Sequence, residues 1–289
     1  MKADYFRVLA ATLICLLPIA ASSATLELSL VAASAENLAE PHDIVLSPDA
    51  KYLFVADNGN DRIVVLDAST LREIGTFGHG EVAGPHDVVF DRQGRLLVAD
   101  THNHRIAIYE INGADGRLTG SLQGPIRAPE GVGVHRDGRV FATGAASGNL
   151  VVFEGVRIVG ETSGFSSPHD VEFDASGNAW VADAANDRVV RLNAALEIDR
   201  VYSAGPYGFS GPRYLDFDSA GRLYVADKYT HQVKIISPDG ELLHVLGTGK
   251  AGKGEGVFRN PEGVEILGSD VWISDTYNNR IVRYRLTSP

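Results

Sequence analysis

After position 24, short apolar runs, never more than about half a dozen residues long, recur through this chain and are separated by polar, glycine-rich turns. Residues 88–90, 96–99, 105–109 and 118–122 form one such set, with Asp91-Arg92-Gln93-Gly94 as the first turn. Glycine there tolerates the positive φ that a tight turn demands. No stretch of ten or more residues after position 24 sustains a 3.6-residue apolar period, so helix should be nearly absent. Each set reads instead as four strands, a to d.

The sets repeat. Pro41-His42-Asp43, Pro85-His86-Asp87, Pro129-Glu130-Gly131, Pro168-His169-Asp170, Pro212-Arg213-Tyr214 and Pro261-Glu262-Gly263 each open a short apolar run, with prolines 44, 44, 39, 44 and 49 residues apart. A second anchor follows: VADNGNDRI from Val55, VADTHNHRI from Val98, VADAANDRV from Val181, VADKYTHQV from Val225 and ISDTYNNRI from Ile273, with Thr143-Gly144 in the degenerate third copy. Four short strands per repeat, six times over, predict an all-β, six-bladed β-propeller, because one four-stranded sheet cannot bury both faces alone. The last copy ends after strand c, at 281–286. A strand at 26–32 is available to complete it and close the ring, removing an exposed edge. Trp180 and Trp272, equivalent in strand b, are expected between blades.

Composition sharpens this picture. The 289 residues carry a net charge of −11, which disfavours nucleic acid as a partner, since phosphate-backbone binding needs clustered Lys and Arg. Residues 1–24 read as a secretory signal: Lys2 and Arg7, an apolar run over 8–20, then Ser22 and Ala24 before the cleavage point. The run is short for a membrane span, which needs ~20 residues. The lone Cys15 lies inside it. The expectation is an exported protein, periplasmic or secreted, with a single propeller over 25–289, no disulfide and no stable membrane insertion.

The pattern Pro-x-Gly/Asp-Val followed by Gly-x-Leu-x-Val-Ala-Asp-x-x-Asn-x-Arg-Ile resembles the NHL repeat and covers 25–289. In a propeller, strand a lines the channel, and its start shares a face with the b–c turn. The residue after each Pro should therefore ring the channel mouth: His42, His86, Glu130, His169, Arg213 and Glu262. His86, His169 and Glu262 fall on alternate blades, and two imidazoles with a carboxylate are sensible ligands for a divalent metal; a solvated channel lining gives the same pattern. Among NHL propellers, His42, His86 and His169 resemble the Pro-His-x triplets of the peptidyl-α-hydroxyglycine amidating lyase. That resemblance implies zinc, with calcium as a second family metal, and Tyr277 or Tyr229 as the base of a lyase reaction. Arg213 is placed to help at the mouth. The expected function is thus recognition of a small molecule, peptide or protein at the Pro-triplet face, with a metal-dependent lyase as the alternative. Asp57, Asp100, Asp183, Asp227 and Asp275 recur too often to form one active site. They are expected to accept backbone N–H groups in the b–c turn, with Arg62, Arg105, Arg188 and Arg280 packed across them.

Overall fold

A computed structural model describes residues 27–287, so the leader expected over 1–24 lies outside the described residues. Six four-stranded antiparallel sheets are arranged as blades. Blade one runs Pro41–Leu46, Tyr52–Asp57, Arg62–Asp67 and Glu73–Phe77, and the others repeat it. In five blades strand a begins at the proline itself rather than after it, as in Pro85–Phe90, whereas in the sixth it is Val264–Leu267. Among the described residues α-helix amounts to one turn, Ala204–Tyr207, and no helix is long and apolar enough to cross a membrane.

The sixth blade is completed as expected. The strand Glu27–Ala33 pairs antiparallel with Arg280–Thr287, placing Leu28 opposite Leu286 and Leu30 opposite Tyr284. Both leucines then pack into the core between blades five and six.

Why the inner strands are apolar throughout, rather than alternating, follows from where each face goes. In strand b of blade one, Leu53 and Val55 face blade six, whereas Phe54 and Ala56 face blade two. In blade two, Leu96 and Val98 look back to blade one and Leu97 and Ala99 forward to blade three. Both faces of each sheet are covered, so period-2 alternation is lost. Trp180 and Trp272 lie in two of these inter-blade cores.

Polar side chains join the blades on the Pro-triplet face. The strand-b aspartates do accept backbone N–H groups, but from the lead-in to their own strand a and not from the b–c turn. Asp57 takes Ala39 N at 2.7 Å, Asp100 takes Ala83 N at 2.8 Å and Asp183 takes Ser166 N at 2.7 Å. Arg62, Arg105, Arg188 and Arg280 bond their second carboxylate oxygens.

Four residues on from each of these aspartates, a left-handed residue reaches the next blade. Asp61 accepts Gly84 N at 2.7 Å, His104 accepts Ala128 N at 3.0 Å, and Asp187 accepts Gly211 N at 2.7 Å. His231 accepts Asn260 N at 3.1 Å and Asn279 accepts Glu40 N at 3.0 Å, so the last latch bridges the ring closure. Blade three has Gly148 there and no such side chain. Removing a latch leaves a backbone donor unsatisfied, which costs about 1–3 kcal/mol where water is excluded. Asp187→Ala should therefore lower stability by about 1–2 kcal/mol in urea unfolding. Asp187→Asn, which keeps the acceptor, should lose much less. Equal losses would show that the latch is not what holds this position.

Candidate functional site

In five blades the proline starts strand a at the channel mouth, and in blade six Pro261 lies three residues ahead of it; the residue before each proline is left-handed in all six: Glu40, Gly84, Ala128, Ser167, Gly211 and Asn260 have φ between 47° and 67°. That kink aims the next side chain inward. The six residues expected at the mouth do meet there, but as a chain of neighbours. His42 Nδ1 lies 3.2 Å from Glu262 Oε2. The His42 and His86 rings stand edge to face with centroids 4.2 Å apart. His86 Nε2 is 3.9 Å from Glu130 Oε1, and His169 Nε2 is 2.5 Å from Glu130 Oε2. The Arg213 guanidinium rests against both nitrogens of His169.

The ring is closed by a residue that sequence reading passed over. Lys228, the first residue of the b–c turn of blade five, places Nζ 2.6 Å from Glu262 Oε1. Its counterparts Asn58, Thr101 and Thr276 instead donate to the carbonyls of Pro85, Pro129 and Pro41 in the following blades. The usable signal was a cation at a position otherwise held by small or neutral residues.

Two imidazoles are oriented by carbonyls on their own strands. His86 Nδ1 lies 2.9 Å from Gly84 O and His169 Nδ1 lies 2.9 Å from Ser167 O. The same nitrogens meet further polar groups, His86 Nδ1 with Asn58 Nδ2 at 3.0 Å and Thr101 Oγ1 at 2.8 Å and His169 Nδ1 with Arg213 Nη1 at 2.7 Å, while Nε2 of each imidazole faces Glu130. Burial pushes His42 down to about 3, against the pull of Glu262, and lowers His86 as well. Burial acts to raise Glu130, but His169, His86 and Arg213 outweigh it and hold the carboxyl at about 2. Glu262 is likewise at about 2, burial being outweighed by His42, Lys228 and Arg213. With His42 neutral at pH 7, the two cations keep Glu262 ionised.

Beneath this ring Tyr214 crosses from blade five to donate to Glu130 O at 3.1 Å. Burial, Asp87, Asp43, Glu262 and Glu130 all raise its phenol, which places it between two acidic layers. The lower layer was not anticipated. Asp43, Asp87, Asp170, Glu172, Asp216 and Glu265 line a cavity of about 170 Å³ in the channel. Five of them accept backbone N–H groups from the adjoining blade's strand a, such as Val132 N on Asp87 at 2.6 Å, Leu215 N on Asp170 at 2.7 Å and Ile266 N on Asp216 at 2.6 Å. Those donors sit on sheet edges and would otherwise be unpaired. Burial raises Asp87 and Glu172 to about 7 and Glu265 to about 8. Burial and the neighbouring carboxylates raise Asp43, Asp170 and Asp216 as well.

The expected metal set of His86, His169 and Glu262, with His42, stands at the mouth within this chain of ion pairs. Among the described residues no group of three or more His, Cys, Asp or Glu side chains is set to hold a metal ion. The carboxylates are taken up by His42, His169 and Lys228, and two cations point into the ring. A divalent ion, zinc or calcium, does not fit that donor set. Tyr229 and Tyr277, expected as bases, stand on the rim, 56% and 43% exposed. Tyr229 OH accepts a bond from Arg213 Nη2 at 3.3 Å, and the Lys228 ammonium lies 5.3 Å from the centre of the Tyr277 ring.

Comparison with known proteins agrees on architecture. Residues 21–136 match the family described as lactonase, 7-bladed β-propeller, a stretch reaching past strand a of the third blade, although this ring closes at six. A catalytically inactive virginiamycin B lyase from Staphylococcus aureus with quinupristin is similar at 12% identity and TM-score 0.66, over 91% of this chain and 100% of that one. An auxiliary nutrient binding protein from Bacteroides thetaiotaomicron is similar at 14% identity and TM-score 0.71, over 91% and 76% of the two chains. Its Bacteroides ovatus counterpart gives 15% and 0.69, over 85% and 69%. These likenesses establish the fold. They lend no support to the NHL or amidating-lyase resemblance.

Proposed function

We propose that this protein is an exported propeller that binds a small molecule at the Pro-triplet mouth of its channel. One observation carries the reading. The mouth gathers buried and half-buried ionisable groups from all six blades, its carboxylates held only by ion pairs with His42, His169 and Lys228, and Arg213 Nε is buried there without a partner. Buried polar atoms are normally satisfied, and each that is not costs about 1–3 kcal/mol. Such a cluster is costly for stability alone and suits a ligand that brings its own polar groups. Likeness to nutrient-binding propellers and to a lyase that takes quinupristin is in keeping with a small molecule at this place.

A lyase is the second reading, favoured by the Glu130–His169 contact. A carboxylate held ionised against an imidazole whose other nitrogen is fixed can pass a proton to and from a bound substrate. Consumption of quinupristin by the wild type but not by Glu130→Gln would carry it. Consumption by neither would reduce the site to binding.

The test of location is to soak crystals with phenol, benzamide and benzoate. Density is expected at the mouth, against Glu130, His169 and Tyr277. On the opposite face a groove of about 260 Å³ between blades four and five is lined by Trp180, Arg191, Arg200, Tyr202 and Phe217. Binding confined to that groove would overturn the proposal.

A further inference from the structure

The mouth is not symmetric, and its asymmetry points to a ligand class. Two residues after each strand-b anchor, the rim carries Gly59, His102, Ala146, Ala185, Tyr229 and Tyr277 in blade order. Blades one, three and four are therefore low, and the wall over blades five and six is aromatic. Directly under that wall lie Arg213 and Lys228, each more than nine-tenths buried. The Arg213 guanidinium carbon lies 5.7 Å from the centre of the Tyr229 ring, and Lys228 Nζ lies 5.8 Å from the same ring.

The two cations carry more N–H donors than the acceptors around them. Lys228 has Glu262, and Arg213 has His169 and a long bond to Tyr229, while Arg213 Nε has no partner. A guanidinium and an ammonium together carry more N–H groups than Glu262, His169 and Tyr229 take up, even with the Glu130 carboxylate close by. The lead-in loop to blade six, 247–260, adds charge of the same sign. Its Arg259 carbonyl accepts Tyr277 N at 3.0 Å. Arg259 and Lys250 are both exposed, and among the described residues neither takes part in an ion pair. On a chain of net charge −11, this sector is a local reversal of sign that would draw anions toward the mouth.

We infer that the ligand is an organic anion with a planar apolar body, its carboxylate directed at Arg213 and Lys228 and its ring plane laid against Tyr229 and Tyr277. This rests on the reading of the mouth as the ligand seat and adds the ligand's charge, shape and orientation. The far end of such a ligand lies over the low side of the rim, toward Glu130 and His169.

Benzoate and benzamide separate the two claims, because they share a ring and differ in charge. By titration calorimetry benzoate should bind at least tenfold more tightly than benzamide, as charge-assisted hydrogen bonds provide roughly 1.5–3 kcal/mol. Tyr277→Leu and Tyr229→Leu, both at exposed sites, should each weaken benzoate about fivefold through loss of aromatic contact. Lys228→Gln combined with Glu262→Gln removes both charges together and leaves neither buried alone. With Arg213 still in place, it should cut the preference for benzoate over benzamide severalfold without abolishing it. Equal binding of the two probes at the mouth of the wild type would overturn the anion assignment while leaving the ligand seat standing. Density for neither at the mouth would remove the seat itself. Unchanged benzoate affinity in both tyrosine variants would overturn the proposed orientation.

Discussion

Gly133→Ala should cost at least about 3 kcal/mol, a large penalty for the addition of one methyl group. Strand a of blade three, Pro129–Val134, runs so close to strand a of blade four that a Cβ on Gly133 would lie 2.1 Å from Val171 O and 3.0 Å from the ring of Phe173. The obstructing atom is backbone, so no rotamer change relieves it; the two blades must move apart. Elsewhere around the channel, carboxylates fill the same inter-blade gap and accept the neighbour's N–H groups. Blade three carries Gly131 and Gly133 in that role, so at these two positions backbone stands where other blades place a carboxylate. The backbone of Gly133 is not left-handed, so the loss would report sterics and not strain. Gly120→Ala is the matched control, since nothing lies within 4 Å of a Cβ there. For a chain of this size the difference corresponds to roughly 6–12 °C in melting temperature. Similar stability of the two variants would mean that the blades are not packed as described.

Stability should fall, not rise, as pH increases from about 5 to 8. The groups responsible are the channel carboxylates. Asp87 and Glu172 are raised to about 7 and Glu265 to about 8, against ordinary values near 4 in the unfolded chain. Between those limits the folded protein holds protons that the unfolded chain has released. Stability therefore declines with pH by about 1.4 kcal/mol per pH unit for each proton retained. One proton kept across three units is worth ~4 kcal/mol. The mouth works in the other direction. His42 lies at about 3 when folded, so below its ordinary value near 6.5 the unfolded chain gains a proton that the native state does not. Glu130 and Glu262, both near 2, add stability that is lost as pH falls below the usual carboxylate range. The optimum should lie at mildly acidic pH. Urea midpoints from pH 5 to 9 on the wild type and Glu265→Gln check this. The glutamine keeps an acceptor for Leu46 N and removes one titration, so its alkaline decline should be shallower and it should be the more stable form at pH 8. A flat wild-type profile, or an unchanged slope in the variant, would contradict the assignment.

The fold was legible because its signal is repeated. Six prolines and five strand-b anchors fix the blade count even where the third copy has Gly144 and Gly148. The mouth was legible for the same reason, since the residue after each proline is a single position read six times. Its chemistry was harder to read. The metal reading treated the ring as three alternate ligands, whereas opposite charges on adjacent blades satisfy one another first, and Lys228 entered from a different turn to complete the pairing. The acidic layer was hidden inside the triplets. Asp43, Asp87 and Asp170 read as parts of a motif, but nothing local shows that their partners are backbone N–H groups about 45 residues further along the chain. Tyr214 was missed likewise, as its contact lies two blades away.

The central claim is that the ligand seat is the Pro-triplet mouth. Imidazole nitrogen resonances of histidine-labelled protein, followed through titration with phenol, benzamide and benzoate, test it most directly. His86 and His169 report on the mouth, and His135 lines a separate cavity on the opposite face. The prediction is that His86 and His169 shift saturably with at least one of the three compounds while His135 stays fixed. Saturable shifts at His135, with His86 and His169 unmoved by all three, would contradict it.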